Sequence, residues 1–287
     1  MARQTWLITG ASSGFGALLA ESTLKAGHSV IATARNPTKA ASDYPQIASL
    51  GGQWLQLDVT SKRTKEQVEK AIKDSGGRID VVINNAGYGL LGGIEDISEE
   101  ELDTQFQTNV YGLVRVIKAV LPFMRTQRSG TIVNISSIAG FRAGPSSAAY
   151  SMSKFAVEAL SESLSAELTA FNIRVLLVEP GAFRTNFIGG HKVPAAGMNK
   201  DYEGTPLAAA MGIWDTFDGK QPGDPAKAVQ RILDVAQLQG MAKGKGHLLR
   251  LPLGTDCFPR MLEKLDTVKH NLEEMREIAL STAVDSD

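Results

Sequence analysis

Tyr150-Ser151-Met152-Ser153-Lys154 places a phenol and an ammonium four positions apart. On a helix, that spacing puts both side chains on one face. A phenol titrates near ~10 in water, and a neighbouring cation favours the phenolate and lowers that value. The pair is therefore expected to give and take a proton near neutrality. Ser137 stands just past an apolar run that reads as a strand, and its hydroxyl can hydrogen-bond the oxygen being protonated. A surface Tyr/Lys pair is the commoner fate of such a spacing. The serine at a strand end turns the reading towards proton transfer.

A second stretch with chemical meaning is Thr5-Trp6-Leu7-Ile8-Thr9-Gly10-Ala11-Ser12-Ser13-Gly14-Phe15-Gly16. It reads as a short buried strand, a glycine-rich turn and the start of a helix that ends before Gly27. Gly10, Gly14 and Gly16 let the backbone turn tightly and approach a phosphate. The helix start offers unpaired N–H groups to an anion. The spacing is G-x-x-x-G-x-G, distinct from the general dinucleotide pattern G-x-G-x-x-G.

The elements that must position these residues alternate. Strands are expected over 5–9, 29–34, 53–57, 80–83, 131–135 and 174–178, each nearly continuously apolar. Helices are expected from 16 to 26, after Ser61 to about 74, from a Ser98 capping box to about 110, from about 111 to 125, and over 148–170. This order implies an α/β fold, a doubly wound parallel sheet covered on both faces. Ligands of such a sheet bind beyond the carboxyl ends of its strands. Gly10 to Gly16, Arg35, Asp58, Asn84-Asn85-Ala86-Gly87, Ser136-Ser137 and Pro180-Gly181 all collect at such ends. Two segments fall outside the alternation: a Gly/Pro/Ala/Met-rich region, about 186–222, and a charged helical extension, about 255–287.

The bulk numbers narrow the class. A formal net charge of −1 in 287 residues argues against a nucleic-acid partner. The one cysteine, Cys257, forbids an internal disulfide and fits a reducing compartment. No apolar run approaches the ~18 residues of a membrane span, and no leader pattern opens the chain. A cytoplasmic single domain, 1–287, without a metal site is expected.

The motifs, in order, resemble the short-chain dehydrogenase/reductase family: Thr9-Gly10-Ala11-Ser12-Ser13-Gly14-Phe15-Gly16, Asn84-Asn85-Ala86-Gly87, Asn109, Ser137, Tyr150 to Lys154, and Pro180-Gly181 with Thr185. They span about residues 5–185. The resemblance implies a Rossmann-like sheet of about seven strands and an oxidoreductase of the carbonyl/alcohol pair. It implies that Ser137, thirteen positions before Tyr150, polarises the substrate carbonyl in preference to Ser136. Tyr150 becomes the acid in reduction and the base in oxidation, and Lys154 holds the nicotinamide ribose. Asn109 anchors a water on the proton path. Gly10, Ser12, Ser13, Gly14, Phe15 and Gly16 cradle the cofactor, while Asp58 and Val59 contact adenine. Asn85, Ala86 and Gly87 line the adenosine side, and Pro180, Gly181 and Thr185 border the nicotinamide. A homodimer or homotetramer is implied, through helices around 111–125 and 148–171.

Cofactor choice rests on the end of the second strand. An acidic residue there would bind the ribose hydroxyls and repel a 2′-phosphate. This chain has Ala34 and then Arg35, whose guanidinium can pair a phosphate bidentately. NADP(H) is expected in preference to NAD(H), although Ser13 stands where many NADP-preferring relatives carry a basic residue. Leu90, Leu91, Ile138, Phe141, Phe187 and Trp214 are expected to make the substrate pocket largely apolar. A hydrophobic ketone or secondary alcohol follows, cyclic, steroid-, retinoid- or polyketide-like. Arg142 and Arg184 are the lone candidates for an anionic handle. The alternatives are a non-redox member of the family (dehydratase, epimerase or isomerase) and an NADP(H)-binding sensor without turnover.

Overall fold

The computed structural model describes residues 2–284, so the last three residues of the expected extension lie outside the described residues. The chain runs β1 (Thr5–Ile8), α1 (Gly14–Lys25), β2 (Ser29–Ala34), α2 (Pro37–Asp43), α3 (Pro45–Ser49), β3 (Gln53–Gln56), α4 (Thr64–Asp74), β4 (Val81–Asn84) and α5 (Glu99–Phe106). It continues through α6 (Leu113–Gln127), β5 (Gly130–Ile135), α7 (Ala148–Glu167), β6 (Ile173–Pro180), α8 (Pro206–Phe217), α9 (Pro225–Gln237), β7 (Arg250–Leu253), α10 (Cys257–Glu274) and α11 (Arg276–Leu280).

The seven strands form one parallel sheet in the order β3-β2-β1-β4-β5-β6-β7. After β3 the chain returns to the other side of β1. The carboxyl ends of β1 and β4 therefore flank the crevice where connections diverge to opposite faces. Strand alternation sends Trp6 and Ile8 to one core and Leu7 to the other. The first core is closed by α1 and α9 (Leu19, Leu24, Val229, Ile232, Leu233). The second is closed by α4, α6 and α7 (Val68, Ile72, Val116, Val120, Val157, Leu164). Both faces of the sheet are thus covered, the arrangement a continuously apolar parallel sheet requires.

Several elements depart from the sequence-based expectation. The helices expected to divide near 110 are one rod, joined through a π-helical stretch at Gln107–Gly112. Such a stretch inserts an extra residue into the backbone ladder and is common at functional sites. Ser98 does close a capping box with Glu101. Ser61 does not cap α4: its hydroxyl accepts from Arg63 N at 3.1 Å, and Arg63 is the N-cap. The 186–222 region contains a full helix, α8, opened by Thr205-Pro206. Asp224-Pro225 opens α9, with the carboxylate accepting from Ala226 N and Lys227 N. An N-cap residue followed by proline at the first helical position is a readable start signal for both.

Candidate active site

The glycine-rich turn is held from behind. Thr9 Oγ1 accepts from Asn85 N and Ala86 N, each at 3.0 Å. Asn85 Nδ2 donates back to Thr9 O at 3.0 Å and Gly10 O at 3.1 Å. The Asn85 side chain is thus a brace between the β1 and β4 loops. Gly10 has φ +66° and Gly14 φ +52°, left-handed values that favour glycine. A Cβ on Gly16 would sit 2.2 Å from Gly10 O, so the close crossing of turn and helix admits no side chain there.

The N-terminus of α1 is open. Ser12 and Ser13 are exposed, and Ser13, the N-cap, makes no side-chain cap hydrogen bond. The first intrahelical bond runs from Ala17 N to Ser13 O at 3.2 Å. Gly14, Phe15 and Gly16 keep N–H groups without an intrahelical acceptor, and no acidic residue lies in the first turn. A glycine cradle beneath free N–H groups fits a pyrophosphate. Arg35 stands exposed directly after β2, and Asp58 is exposed two residues past the end of β3. Val59 is buried against Gly112 of the π-helical stretch, where a Cβ would meet its Cγ2 at 2.8 Å.

On the other side of the crevice, α7 presents Tyr150 and Lys154, both buried. Lys154 Nζ donates to Ile135 O at 2.7 Å, which ties the ammonium to the end of β5. The same atom lies 5.7 Å from the centre of the Tyr150 ring. Asn109 donates to Tyr88 O at 2.9 Å and to Ser153 Oγ at 3.0 Å, and its Oδ1 accepts from Tyr88 N at 3.1 Å. A Cβ on Gly87 would fall 3.1 Å from Asn109 Oδ1 and 3.8 Å from Lys154 Nζ, so these three meet at one point. Ser137 is half-buried and its Oγ accepts from Ala139 N at 3.1 Å, whereas Ser136 is buried away from the crevice. Pro180 ends β6, and Thr185 lies against Gly14.

Burial controls the protonation of this group. Loss of solvent pushes the Tyr150 phenol up to about 12, opposed by the Ser137 hydroxyl. Burial also pulls the Lys154 ammonium down to about 8, opposed by the Glu158 carboxylate. Burial is the dominant influence on the phenol, so its value lies above the ordinary one rather than below it as the spacing predicts. Tyr150 is held as a neutral acid.

The pocket-forming residues divide. Phe187 packs on Tyr150 with ring centres 5.5 Å apart and lies beside Gly89. Trp214 Nε1 donates to Ser146 Oγ at 3.0 Å, anchoring α8 over the same end of the sheet. Phe141 turns instead under the Arg250 guanidinium. Leu90 and Leu91 are taken into the interior. Of the candidate anion handles, Arg142 pairs with Glu263, at 2.5 and 3.2 Å, while the exposed Arg184 donates through Nε to Gln221 O at 2.8 Å.

Two features escaped the sequence. Gln105, fully buried, accepts from Leu90 N at 2.7 Å and donates to Tyr88 O, fixing the loop above Asn109. Beneath Lys154, Arg250 of β7 joins Glu158 and Glu162 of α7 to Glu179 of β6. Glu158 could have been found, since it follows Lys154 by one helical turn. Arg250 arrives only through the pairing of β6 with β7.

The family model for short chain dehydrogenases matches residues 4–192. The chain belongs to the short-chain dehydrogenase/reductase family. A 3-ketodihydrosphingosine reductase from Bacteroides thetaiotaomicron is 43% identical over 203 residues, covering 70% of this chain and 72% of that protein. The crystal structure of a short-chain dehydrogenase from Streptomyces avermitilis is 37% identical, with a TM-score of 0.86 over 99% of this chain and 100% of the other. A short-chain dehydrogenase from Sphingobium yanoikuyae in complex with NADPH is 25% identical, with a TM-score of 0.69 over 99% and 98% of the two chains. The protein is an oxidoreductase of this family with a Rossmann-like fold. Among the described residues no helix is long and apolar enough to cross a membrane, and no group of residues has the makings of a metal site.

Proposed function

We propose that the protein is an NADP(H)-dependent carbonyl reductase, working in reverse as an alcohol dehydrogenase, on a hydrophobic substrate. The carrying observation is the convergence of Asn109, Ser137, Tyr150 and Lys154 beside an open helix N-terminus on a glycine cradle. The NADPH complex of the Sphingobium relative supports the cofactor, as does the exposed Arg35 with no acidic residue at the end of β2. When bound, NADPH supplies the hydride. The free N–H groups at Gly14, Phe15 and Gly16, with the Ser12 and Ser13 hydroxyls, hold the pyrophosphate. Arg35 pairs the 2′-phosphate, Asp58 and Val59 border adenine, and Ala86 and Gly87 line the adenosine side with Asn85 bracing them. Pro180, Gly181 and Thr185 border the nicotinamide, and Lys154 holds its ribose.

Ser137 donates to the substrate oxygen and orients it. Tyr150, protonated at neutral pH, delivers its proton to that oxygen as negative charge develops. The Lys154 ammonium stabilises the phenolate left behind, and Asn109 anchors the water that restores the proton. Phe187 over Tyr150, Trp214 and the pairing of Arg142 with Glu263 favour an apolar substrate, such as a cyclic, steroid-, retinoid- or polyketide-like carbonyl. The name of the Bacteroides relative fits a keto group as the target. Tyr111, Met152 and Phe155 expose large apolar side chains on the helices that would pair in a homodimer or homotetramer. A cytoplasmic enzyme is the setting that fits a single, buried thiol.

The test is NADPH absorbance against a panel of bulky ketones and aldehydes, for the wild type and Tyr150→Phe, repeated with NADH. Turnover that vanishes in Tyr150→Phe while NADPH still binds supports the reading. Tight NADPH binding with no consumption across the panel overturns the redox reading, and equal use of NADH overturns the role of Arg35.

A further inference from the structure

Below Lys154, on the side away from the crevice, lies a buried charge cluster that the reaction scheme does not use. Glu158 and Glu179 are 5% and 0% exposed, so both carboxylates are out of water. Arg250 Nη1 pairs with both, and its Nη2 pairs with the exposed Glu162. Each buried carboxylate is left with one oxygen, Glu158 Oε1 and Glu179 Oε2, that has no hydrogen-bond partner. Two buried orphan acceptors are costly. Arg250 is the cation that offsets both buried charges. Burial first and then the Glu158 charge push Glu179 up to about 7.

This unit is connected to the site. Glu158 is one helical turn beyond Lys154 on α7, and its charge raises the lysine against the pull of burial. The other groups facing Lys154 are neutral at physiological pH: Ile135 O from β5, Tyr150 from α7 and, through Gly87, Asn109 from the π-helical stretch. Around the carboxylates the charged and titratable groups are Arg250 from β7, Glu162 from α7, and Cys257 with Asp256 at the start of α10. Glu158 is the negative charge that the ammonium feels. Arg250 fixes where that charge sits.

We propose that Glu158, clamped by Arg250 one helical turn from Lys154, is a positioning residue that keeps Lys154 in its ammonium form. The inference rests on the reading of Lys154 as the group that stabilises the Tyr150 phenolate. It extends the catalytic machinery to β7, which lies beyond the residues that the family model matches.

The experiment follows Lys154 itself. The cofactor-free protein is labelled at the lysine side-chain carbons, Lys154 is assigned by its loss in Lys154→Arg, and its chemical shift is followed against pH. The wild-type midpoint is expected near 8. In Glu158→Gln it falls by about one pH unit or more, the usual effect of losing a close opposite charge. Glu158→Asp restores most of the fall. Glu179→Gln lowers the midpoint by less than Glu158→Gln, because Glu158 keeps its place one turn from Lys154. A Glu158→Gln midpoint equal to the wild type overturns the proposal, as does a Glu179→Gln shift as large as that of Glu158→Gln. Should Glu158→Gln not fold, the comparison of Glu158→Asp and Glu179→Gln with the wild type decides by the same order of midpoints. This readout needs no turnover, so a failure of the redox reading leaves it intact. Where turnover is found, the pH profile of kcat follows: a one-unit fall takes the ammonium at pH 8 from about one half to about a tenth, an expected loss of about fivefold.

Discussion

The side chains at the crevice owe their behaviour to burial more than to their neighbours. Gly16 shows how little room the cofactor turn leaves. A Cβ there would lie 2.2 Å from Gly10 O and 2.6 Å from Asn85 Nδ2, so Gly16→Ala must push apart the two loops that Asn85 ties together. The expected outcome is a loss of NADPH affinity of at least about tenfold, read by fluorescence titration, with a lowered melting temperature in the range of ordinary strain, about 1–3 kcal/mol. Glu179 carries a second prediction. Its folded value is raised from the ordinary carboxylate range to about 7. The folded state therefore binds more protons than the unfolded one between about 4.5 and 7, and stability is lost as pH rises through that window. In Glu179→Gln this dependence is expected to disappear. Denaturant midpoints at pH 5 and pH 7.5 check it: the wild type should lose stability relative to the variant between the two, and a parallel response of both proteins would refute it. At this scale the sequence was legible where chemistry depends on local spacing, as at Tyr150 and Lys154. The raised phenol was not, because desolvation is a property of the packed whole.

Among the elements, the π-helical stretch between α5 and α6 reaches both halves of the crevice. It turns Asn109 inward to the Tyr88 carbonyl and Ser153, and it brings Gly112 against Val59 at the edge of the adenine side. A Cβ at Gly112 would fall 2.8 Å from Val59 Cγ2 and 3.1 Å from Val59 O. Gly112→Ala is expected to displace the Asp58–Val59 segment, raising KM for NADPH about three- to tenfold while kcat changes little, since the proton-transfer residues lie across the crevice. A fall in kcat with unchanged KM would show that the stretch serves Asn109 instead. The regular strands and the capping box at Ser98 were readable because period and cap are written locally. The π stretch was not, since an added residue in a helical ladder leaves no break in the apolar pattern. Helices α8 and α9 did leave a signal, in Thr205-Pro206 and Asp224-Pro225, that periodicity alone passed over.

Across the whole molecule, two cores on opposite faces of one sheet carry the stability, and the carboxyl edge carries the site. β7 is the least readable strand. Its four residues include Pro252, and it acquires meaning only by pairing with β6, where it delivers Arg250 beneath Lys154. The end of the described chain behaves differently. Cys257 and Met261 bury the first turn of α10, Asp256 accepts from Ala182 N at 3.0 Å, and Glu263 pairs with Arg142. From Leu265 to Val284 every side chain is exposed, including Leu265, Leu272, Met275 and Ile278. The anchor and the projecting arm therefore make opposite contributions. Removing the residues after 265 deletes no buried contact, and the ion pair lost, Lys269–Glu273, is an exposed one at 3.9 Å. Changes at such surfaces are worth about 0.5 kcal/mol, so calorimetry should find the melting temperature of the shortened chain within about 2 °C of the full one. Asp256→Ala, in contrast, frees the Gly181–Ala182 turn from α10 and is expected to cost about 1–2 kcal/mol, through a carboxylate hydrogen bond to a part-buried backbone N–H. If the shortened chain melted far lower, and more so at low protein concentration, the exposed stripe would be covered by a second copy in solution, and the arm would belong to the assembly.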